Sequence, residues 1–352
     1  MANDQAIRRV FYFDFLRAAA IFAVIVLHFS ADAAGQYHKI AASDWFSAAF
    51  YNGLTRGCVP LFVMLSGALL LNPGKIVSTK ELFSRRLPKL VIPLVAWSII
   101  YETLQFTTDK GYGKFQFIPA LKAFYQGPLV FHFWFLYMMI GIYLIYPIIN
   151  GFIRAATKIQ VRYFIFLWFI VNSVLGIAGP ALGLNIGIEL NCFTGYIGYF
   201  VLGYYLNTYT FTSRQLSWIY LLTALALTGS IAGIILLQYY SYHGFTDLVE
   251  SDFTPDIPVA MAGVFLLAKN HSFSIKTGLW QNTLSQISKE SYGIYIVHVL
   301  FVRLLFDKIY LDFGFGDGCF LWVVPVKAVI VLVLSLGLTK LIRLVPFLRQ
   351  TI

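Results

Sequence analysis

The chain of 352 residues carries little charge: Asp, Glu, Lys and Arg make up only 12% of it, against about a quarter in a typical soluble domain. Hydrophobic residues account for 59%. These two shares exclude a water-soluble globular protein. A nucleic-acid-binding protein is also excluded, because the Lys and Arg behind the net charge of +10 lie between apolar runs and do not form one basic face with interleaved aromatics.

Cysteine is scarce as well. Cys58, Cys192 and Cys319 fall in unrelated segments, without CxxC or histidine-rich spacing. Neither a disulfide framework nor a metal site is therefore expected, and the redox compartment stays open.

Long apolar runs are what the chain has in abundance, many of them near the ~20 residues that cross the hydrocarbon core of a bilayer. We predict an all-α, polytopic integral membrane protein with about ten transmembrane helices, forming one domain over residues 1–352. The predicted spans are 11–30, 46–71, 88–106, 132–150, 162–180, 190–207, 215–239, 255–268, 286–307 and 319–345.

The first span also has features of a secretory signal peptide. Arg8 and Arg9 precede an apolar stretch that ends in a small-x-small sequence at 31–33. Asp14 and Arg17 would interrupt the apolar core of such a signal, so we favour a first transmembrane helix.

The distribution of Lys and Arg predicts the orientation. Basic residues concentrate in the loops at 72–89 and 151–161 and near the carboxyl terminus, whereas the loop at 243–256 is acidic. Cytoplasmic loops carry the excess of Lys and Arg. Both termini are therefore expected in the cytoplasm.

Ionisable side chains within a span are costly and mark functional sites. Arg17 and His28 are eleven residues apart, which places them on one helical face about 16 Å apart along the axis, and Asp14 joins that face. A structural interpretation competes: His28 could bond a carbonyl at the interface, and Asp14 with Arg17 could be a neutralised pair. The stripe alone does not decide between them.

Further motifs favour a functional interpretation. They are PLFVMLSGALLL at 60–71, RRLPKLVIP at 85–93, HFWFLYMMIGIYLIYP at 132–147, YFVLGYYL at 199–206 and SYGIYIVH at 291–298. Together with RAAAIFAVIVLH at 17–28, their order resembles the acyltransferase family 3 membrane enzymes over about residues 8–345. The resemblance is greatest to the short, stand-alone members that O-acetylate surface polysaccharides, such as the enterobacterial common antigen type. Ala18 and Ala68 depart from the usual motifs.

The resemblance implies an acyl-CoA donor, expected to be acetyl-CoA, and a sugar hydroxyl of a cell-surface glycan or glycolipid as acceptor, in the bacterial inner membrane. His28 is then the base that activates the hydroxyl, and Arg17 and Asp14 on the same helical face are the other expected catalytic residues. Arg85, Arg86 and Lys89 would bind the donor's phosphates, with Arg17 deeper. Any cytoplasmic loop is basic, however, so these cations could serve orientation alone.

Two further groups complete the predicted site. The donor is expected to contact one face of the ninth span, at Ser291, Tyr295 and His298. The acceptor is expected to contact four residues: Glu102, His132, Trp134 and Arg56. The competing interpretations are a core histidine for His298 and an interfacial belt for the aromatic residues.

Two other function classes fit some of these features. A secondary transporter or flippase for a glycolipid or small anionic solute also has many spans and buried charges, but we find no repeat between residues 1–175 and 176–352. A non-catalytic scaffold or sensor would not need Arg17 and His28 on one face. A membrane acyltransferase is therefore the favoured function.

Overall fold

A computed structural model describes residues 11–74, 77–104, 124–183, 195–240, 251–271, 278–308 and 319–352. Within these ranges the chain is helical and has no strand, which confirms the all-α class. The main helices are α1 (Phe11–Ala34), α2 (Ala42–Thr55), α3 (Cys58–Leu70), α4 (Pro88–Thr103), α5 (Trp134–Ala155), α6 (Lys158–Phe169), α7 (Leu175–Leu182), α8 (Ile197–Thr208), α9 (Ser213–Tyr239), α10 (Asp256–Asn270), α11 (Leu279–Val302) and α12 (Phe320–Leu344). Three π-helical segments adjoin them, at Leu82–Arg86, Ile170–Val174 and Arg303–Lys308.

Six helical segments among the described residues are long and apolar enough to cross a membrane. They are Phe11–Ala34, Ala42–Leu70, Phe131–Ala155, Lys158–Gly179, Ser213–Tyr239 and Phe320–Leu344. They support a multi-pass membrane protein. Helices α4, α8, α10 and α11 coincide with the other four predicted spans but are shorter or more polar, so the count of ten and the location of the termini stay predictions.

Helix α1 lies at the centre and packs against α2, α3, α11 and α12. Its inward stripe includes Ile21 and Val24, which are buried between Arg17 and His28. The face that the helical period predicts is thus the face that meets the rest of the protein.

Helices α3 and α8 approach each other unusually closely because each has a glycine at the contact. A Cβ on Gly67 would lie 1.8 Å from the carbonyl oxygen of Phe200, and a Cβ on Gly203 would lie 1.9 Å from that of Met64. Small residues permit such approach between membrane helices. The motifs at 60–71 and 199–206 therefore meet as one helix–helix contact.

The carboxyl end of α8 is capped by a lysine from α10. The Lys269 ammonium donates hydrogen bonds to the carbonyl oxygens of Leu206, Asn207 and Tyr209, at 2.7, 2.8 and 3.1 Å. The last carbonyls of a helix have no partner within it, and a cation there also opposes the negative end of the helix dipole. Lys269 therefore fastens α10 to α8.

Replacing Lys269 with methionine should lower the free energy of unfolding by about 1–3 kcal/mol, because it keeps the apolar stem but leaves three carbonyls without their donor. The measurement is the unfolding temperature in detergent. Lys340→Met is the control, since the exposed Lys340 ammonium of α12 donates a hydrogen bond to the exposed Gln286 side chain of α11. Equal shifts in the two variants would show that the cap has no special effect.

Candidate functional site

Three histidines from distant parts of the chain form a cluster that we call the histidine cluster: His28 of α1, His132 just before α5 and His298 of α11. The ring centroids of His28 and His298 are 5.2 Å apart and the rings are nearly parallel, at 21°. Those of His132 and His298 are also 5.2 Å apart, at 75°. His132 and His298 are only 2% and 0% exposed, whereas His28 is half-buried. His28 is thus the most accessible of the three imidazoles.

Two tyrosines brace the histidine cluster. The Tyr295 hydroxyl donates to the carbonyl oxygen of His132. The Tyr101 hydroxyl donates to the carbonyl of Ile296 and accepts from the amide of Leu300, both at 3.0 Å, and the Tyr101 ring lies 5.6 Å from that of His132. These bonds fix α11 and the turn before α5 to the end of α4.

The predicted acceptor residue at the end of α4 differs from the one that reaches the histidine cluster. Sequence reasoning selected Glu102, which is half-buried, but the side chain against His132 is that of its neighbour Tyr101. Adjacent residues point about 100° apart around a helix. Glu102 was selected because it is ionisable, whereas Tyr101 was one of several aromatic residues that an interfacial belt or stacking on a sugar ring would equally explain.

The hydrogen bonding of His298 fixes its tautomer. Its Nδ1 lies 2.7 Å from the carbonyl oxygen of Tyr295, and because a carbonyl only accepts, Nδ1 carries the proton. The Nε2 atom of His298 and both ring nitrogens of His132 have no hydrogen-bond partner within the described ranges. Buried polar atoms without a partner are uncommon and point to a bound ligand or water.

A cavity of about 550 Å³ has Tyr295 in its wall. Arg17 of α1 and Ser288, Ser291 and Tyr295 of α11 form part of its wall. Tyr295 also contacts His298, with ring centroids 5.8 Å apart. The cavity therefore borders the histidine cluster. His298 was expected beside the donor with Ser291 and Tyr295, but it lies within the cluster, because it is three residues further along α11 than the cavity wall.

A second cavity, of about 500 Å³, is basic and is lined by Arg85, Arg86 and Lys89 together with Glu81. The Arg86 guanidinium is 3.0 Å from the Glu81 carboxylate, which orients it. Both arginines lie in the π-helical segment before α4, and such segments occur frequently at functional sites. The two cavities adjoin because they share three lining residues: Leu90, Tyr143 and Tyr292.

Asp14 is buried and accepts hydrogen bonds from Ser288 at 2.7 Å and from Ser285 at 3.3 Å. It thereby fixes the start of α1 to α11. Fourteen residues separate it from His28, or about 21 Å along the helix. Asp14 therefore positions α1 and does not act on the imidazole directly.

Arg56 and Trp134 contact a second group of residues, which includes Tyr196 and Asp252. The buried Arg56 guanidinium donates to the carbonyl of Ser251 at 2.8 Å, and the Trp134 ring is 5.6 Å from that of Tyr196. The Tyr196 hydroxyl donates to the Asp252 carboxylate at 2.6 Å. Burial raises the pKa of the Asp252 carboxyl to about 6, although Tyr196 and Arg56 act in the opposite direction.

Comparison with known families matches residues 10–343 to the profile of the acyltransferase 3 family, described as an acyltransferase domain. The match covers nearly the whole chain. The protein belongs to the acyltransferase 3 family. This assignment confirms the family and the membrane acyltransferase class that the sequence motifs predicted. No curated protein and no solved structure matches the chain.

In this acyltransferase 3 protein the histidine cluster and the two cavities form one continuous candidate site. It combines a half-buried imidazole, which can act as a general base, with a cavity and a set of cations that can bind anionic groups. Within the described ranges no group of three or more His, Cys, Asp or Glu could hold a metal ion. Of the three imidazoles in the histidine cluster, that of His28 is the most accessible to a substrate.

Proposed function

We propose that this acyltransferase moves an acyl group, acetyl in the simplest case, from acyl-CoA to a sugar hydroxyl of a cell-surface glycan or glycolipid. The observation that carries the proposal is that two adjoining cavities lead to the histidine cluster. The first cavity is lined by Arg85, Arg86 and Lys89. The second is lined by Arg17 and Tyr295, and Tyr295 contacts His298. A transporter or flippase has no comparable support, because the family match is to acyltransferases.

The donor's phosphates bind to Arg85, Arg86 and Lys89, since guanidinium groups suit phosphate oxygens. The pantetheine arm then passes Arg17 and the hydroxyl of Ser291, both of which line the inner cavity. The thioester arrives next to Tyr295 and the histidine cluster. The stretch from Arg17 to His28, about 16 Å along α1, suits an extended arm.

Transfer takes place directly between donor and acceptor. His28 takes the proton of the acceptor hydroxyl, and the oxygen attacks the carbonyl carbon of the thioester. The new C–O bond forms, the C–S bond breaks, and the proton passes from His28 to the sulfur of the departing CoA. An acyl-His28 intermediate is the alternative route.

The sidedness of the reaction follows from charge. The basic cavity adjoins the loop that the positive-inside rule assigns to the cytoplasm, where acyl-CoA is found. Among the described residues, His28 lies toward the opposite end of α1, as does His132 relative to α5. The acceptor then approaches from the outer side of a bacterial inner membrane, as in the enterobacterial common antigen type that the sequence resembles.

Binding of acetyl-CoA to the detergent-purified protein tests the donor assignment. The double variant Arg85→Gln/Arg86→Gln should bind acetyl-CoA at least about tenfold more weakly, because each lost bond to a phosphate contributes about 1.5 kcal/mol or more. Binding of S-acetylpantetheine, which lacks the phosphates, should not change. Arg214→Gln on α9 is the matched control.

Two results would contradict the proposal. If the folded wild type binds neither acetyl-CoA nor S-acetylpantetheine, the donor assignment is wrong. If the double variant weakens both ligands equally, Arg85 and Arg86 do not bind the phosphates.

A further inference from the structure

An apolar groove of about 480 Å³ runs over α8, between α6 and α10, separate from the candidate site. Leu202, Tyr205 and Leu206 of α8 form its floor. Phe166 stands on the α6 side and Ala262 on the α10 side. The groove shares no lining residue with the two cavities near the histidine cluster.

The groove faces the bilayer. Its α6 side belongs to the apolar segment Lys158–Gly179, which is long enough to cross a membrane, and Phe166 is 59% exposed. In a protein that crosses the bilayer, an exposed apolar side chain at this position is surrounded by lipid. The natural occupant of the apolar part is therefore an acyl chain.

Basic side chains lie at one end of the groove. Arg162 lines it, is exposed, and is hydrogen-bonded to the Tyr205 hydroxyl. Lys158 lies one helical turn earlier on the same face of α6, where its ammonium is 4.8 Å above the Tyr209 ring. No Asp or Glu is among the residues that line the groove in the described ranges.

This combination selects a lipid by its charge. Basic pockets between transmembrane helices bind anionic headgroups, and each Lys or Arg near the surface contributes about 1 kcal/mol. The guanidinium of Arg162 provides a planar fork for phosphate oxygens at the level where a headgroup lies.

We propose that the groove is a binding site for one anionic phospholipid, with its phosphate on Arg162 and one acyl chain between α6 and α10. The lipid would contact three helices, because its acyl chain lies between α6 and α10 and rests on α8, which is only twelve residues long. The proposal does not rest on the acyl-transfer reaction.

Native mass spectrometry of the full chain in detergent tests the site, with dioleoylphosphatidylglycerol and dioleoylphosphatidylcholine as probes. These lipids have the same chains and differ in net headgroup charge. The wild type should retain one phosphatidylglycerol under conditions that remove phosphatidylcholine. Arg162→Gln should weaken phosphatidylglycerol binding about fivefold, the loss of one surface charge.

Two variants complete the design. Ala262→Phe fills the groove without changing charge and should displace the lipid, whereas Arg214→Gln, at the exposed start of α9, should bind it as the wild type does. Unfolding temperature and helical circular dichroism verify the folded state of each variant. Equal retention of the two lipids, or equal effects of Arg162→Gln and Arg214→Gln, would overturn the proposal. If folded Ala262→Phe binds phosphatidylglycerol as well as the wild type does, the acyl chain does not lie in this groove.

Discussion

Replacing His28 with glutamine is expected to lower acyl transfer by a factor of about 10²–10⁴, the share that general acid–base catalysis contributes. Glutamine keeps a similar size and can hydrogen-bond, but it does not take up a proton at neutral pH. Binding of acetyl-CoA should survive, because the proposed phosphate-binding residues Arg85, Arg86 and Lys89 line a cavity that His28 does not line. The measurements are the rate of CoA release and the affinity for acetyl-CoA.

His271→Gln is the matched control, because His271 is an exposed histidine after α10 whose ring contact is with Tyr220. It should leave the rate unchanged. Full activity of His28→Gln would remove His28 from the role of base. Loss of acetyl-CoA binding together with turnover would instead make His28 part of the donor site.

The largest expected loss of stability comes from adding one methyl group to Gly67. In Gly67→Ala the new Cβ would stand 1.8 Å from the carbonyl oxygen of Phe200, so α3 and α8 must separate along their contact. Overpacking of this kind reduces the free energy of unfolding by about 3 kcal/mol or more when the obstructing atom is backbone. Unfolding temperature and the yield of monodisperse protein measure the effect.

Gly141→Ala on α5 is the control, because no heavy atom lies within 4 Å of its added Cβ. That change should leave the free energy of unfolding unchanged or raise it by up to about 1 kcal/mol, because alanine reduces the conformational entropy of the unfolded chain. Gly203→Ala should resemble Gly67→Ala, and the double variant should lose less than the sum, since both act at one contact. Equal behaviour of Gly67→Ala and Gly141→Ala would contradict the close approach of the helices.

Helices and buried faces could be predicted from the sequence because both depend on local pattern. The apolar runs coincide with helices throughout the described residues, and the stripe between Arg17 and His28 is buried as the helical period requires. The match to residues 10–343 likewise confirms the family that the motifs indicated.

The composition of the site could not be predicted because it depends on which helices adjoin. His132 and His298 are 166 residues apart in the chain, and no periodicity tells that their rings meet. For the same reason Arg56 was grouped with His132, although its carbonyl partner is in the segment at Ser251. The motifs at 60–71 and 199–206 marked the family, but only their contact explains why glycine stands in each.

The packing of Tyr295 has a consequence for the membrane itself. Its ring forms part of the wall of the cavity that Arg17 also lines, and it contacts the buried rings of His132 and His298. An open passage from that cavity to the far side would let ions flow and would discharge the electrical potential on which the cell depends. Aromatic rings that pack against one another beside the cavity wall oppose such a passage, so the membrane can stay electrically insulating.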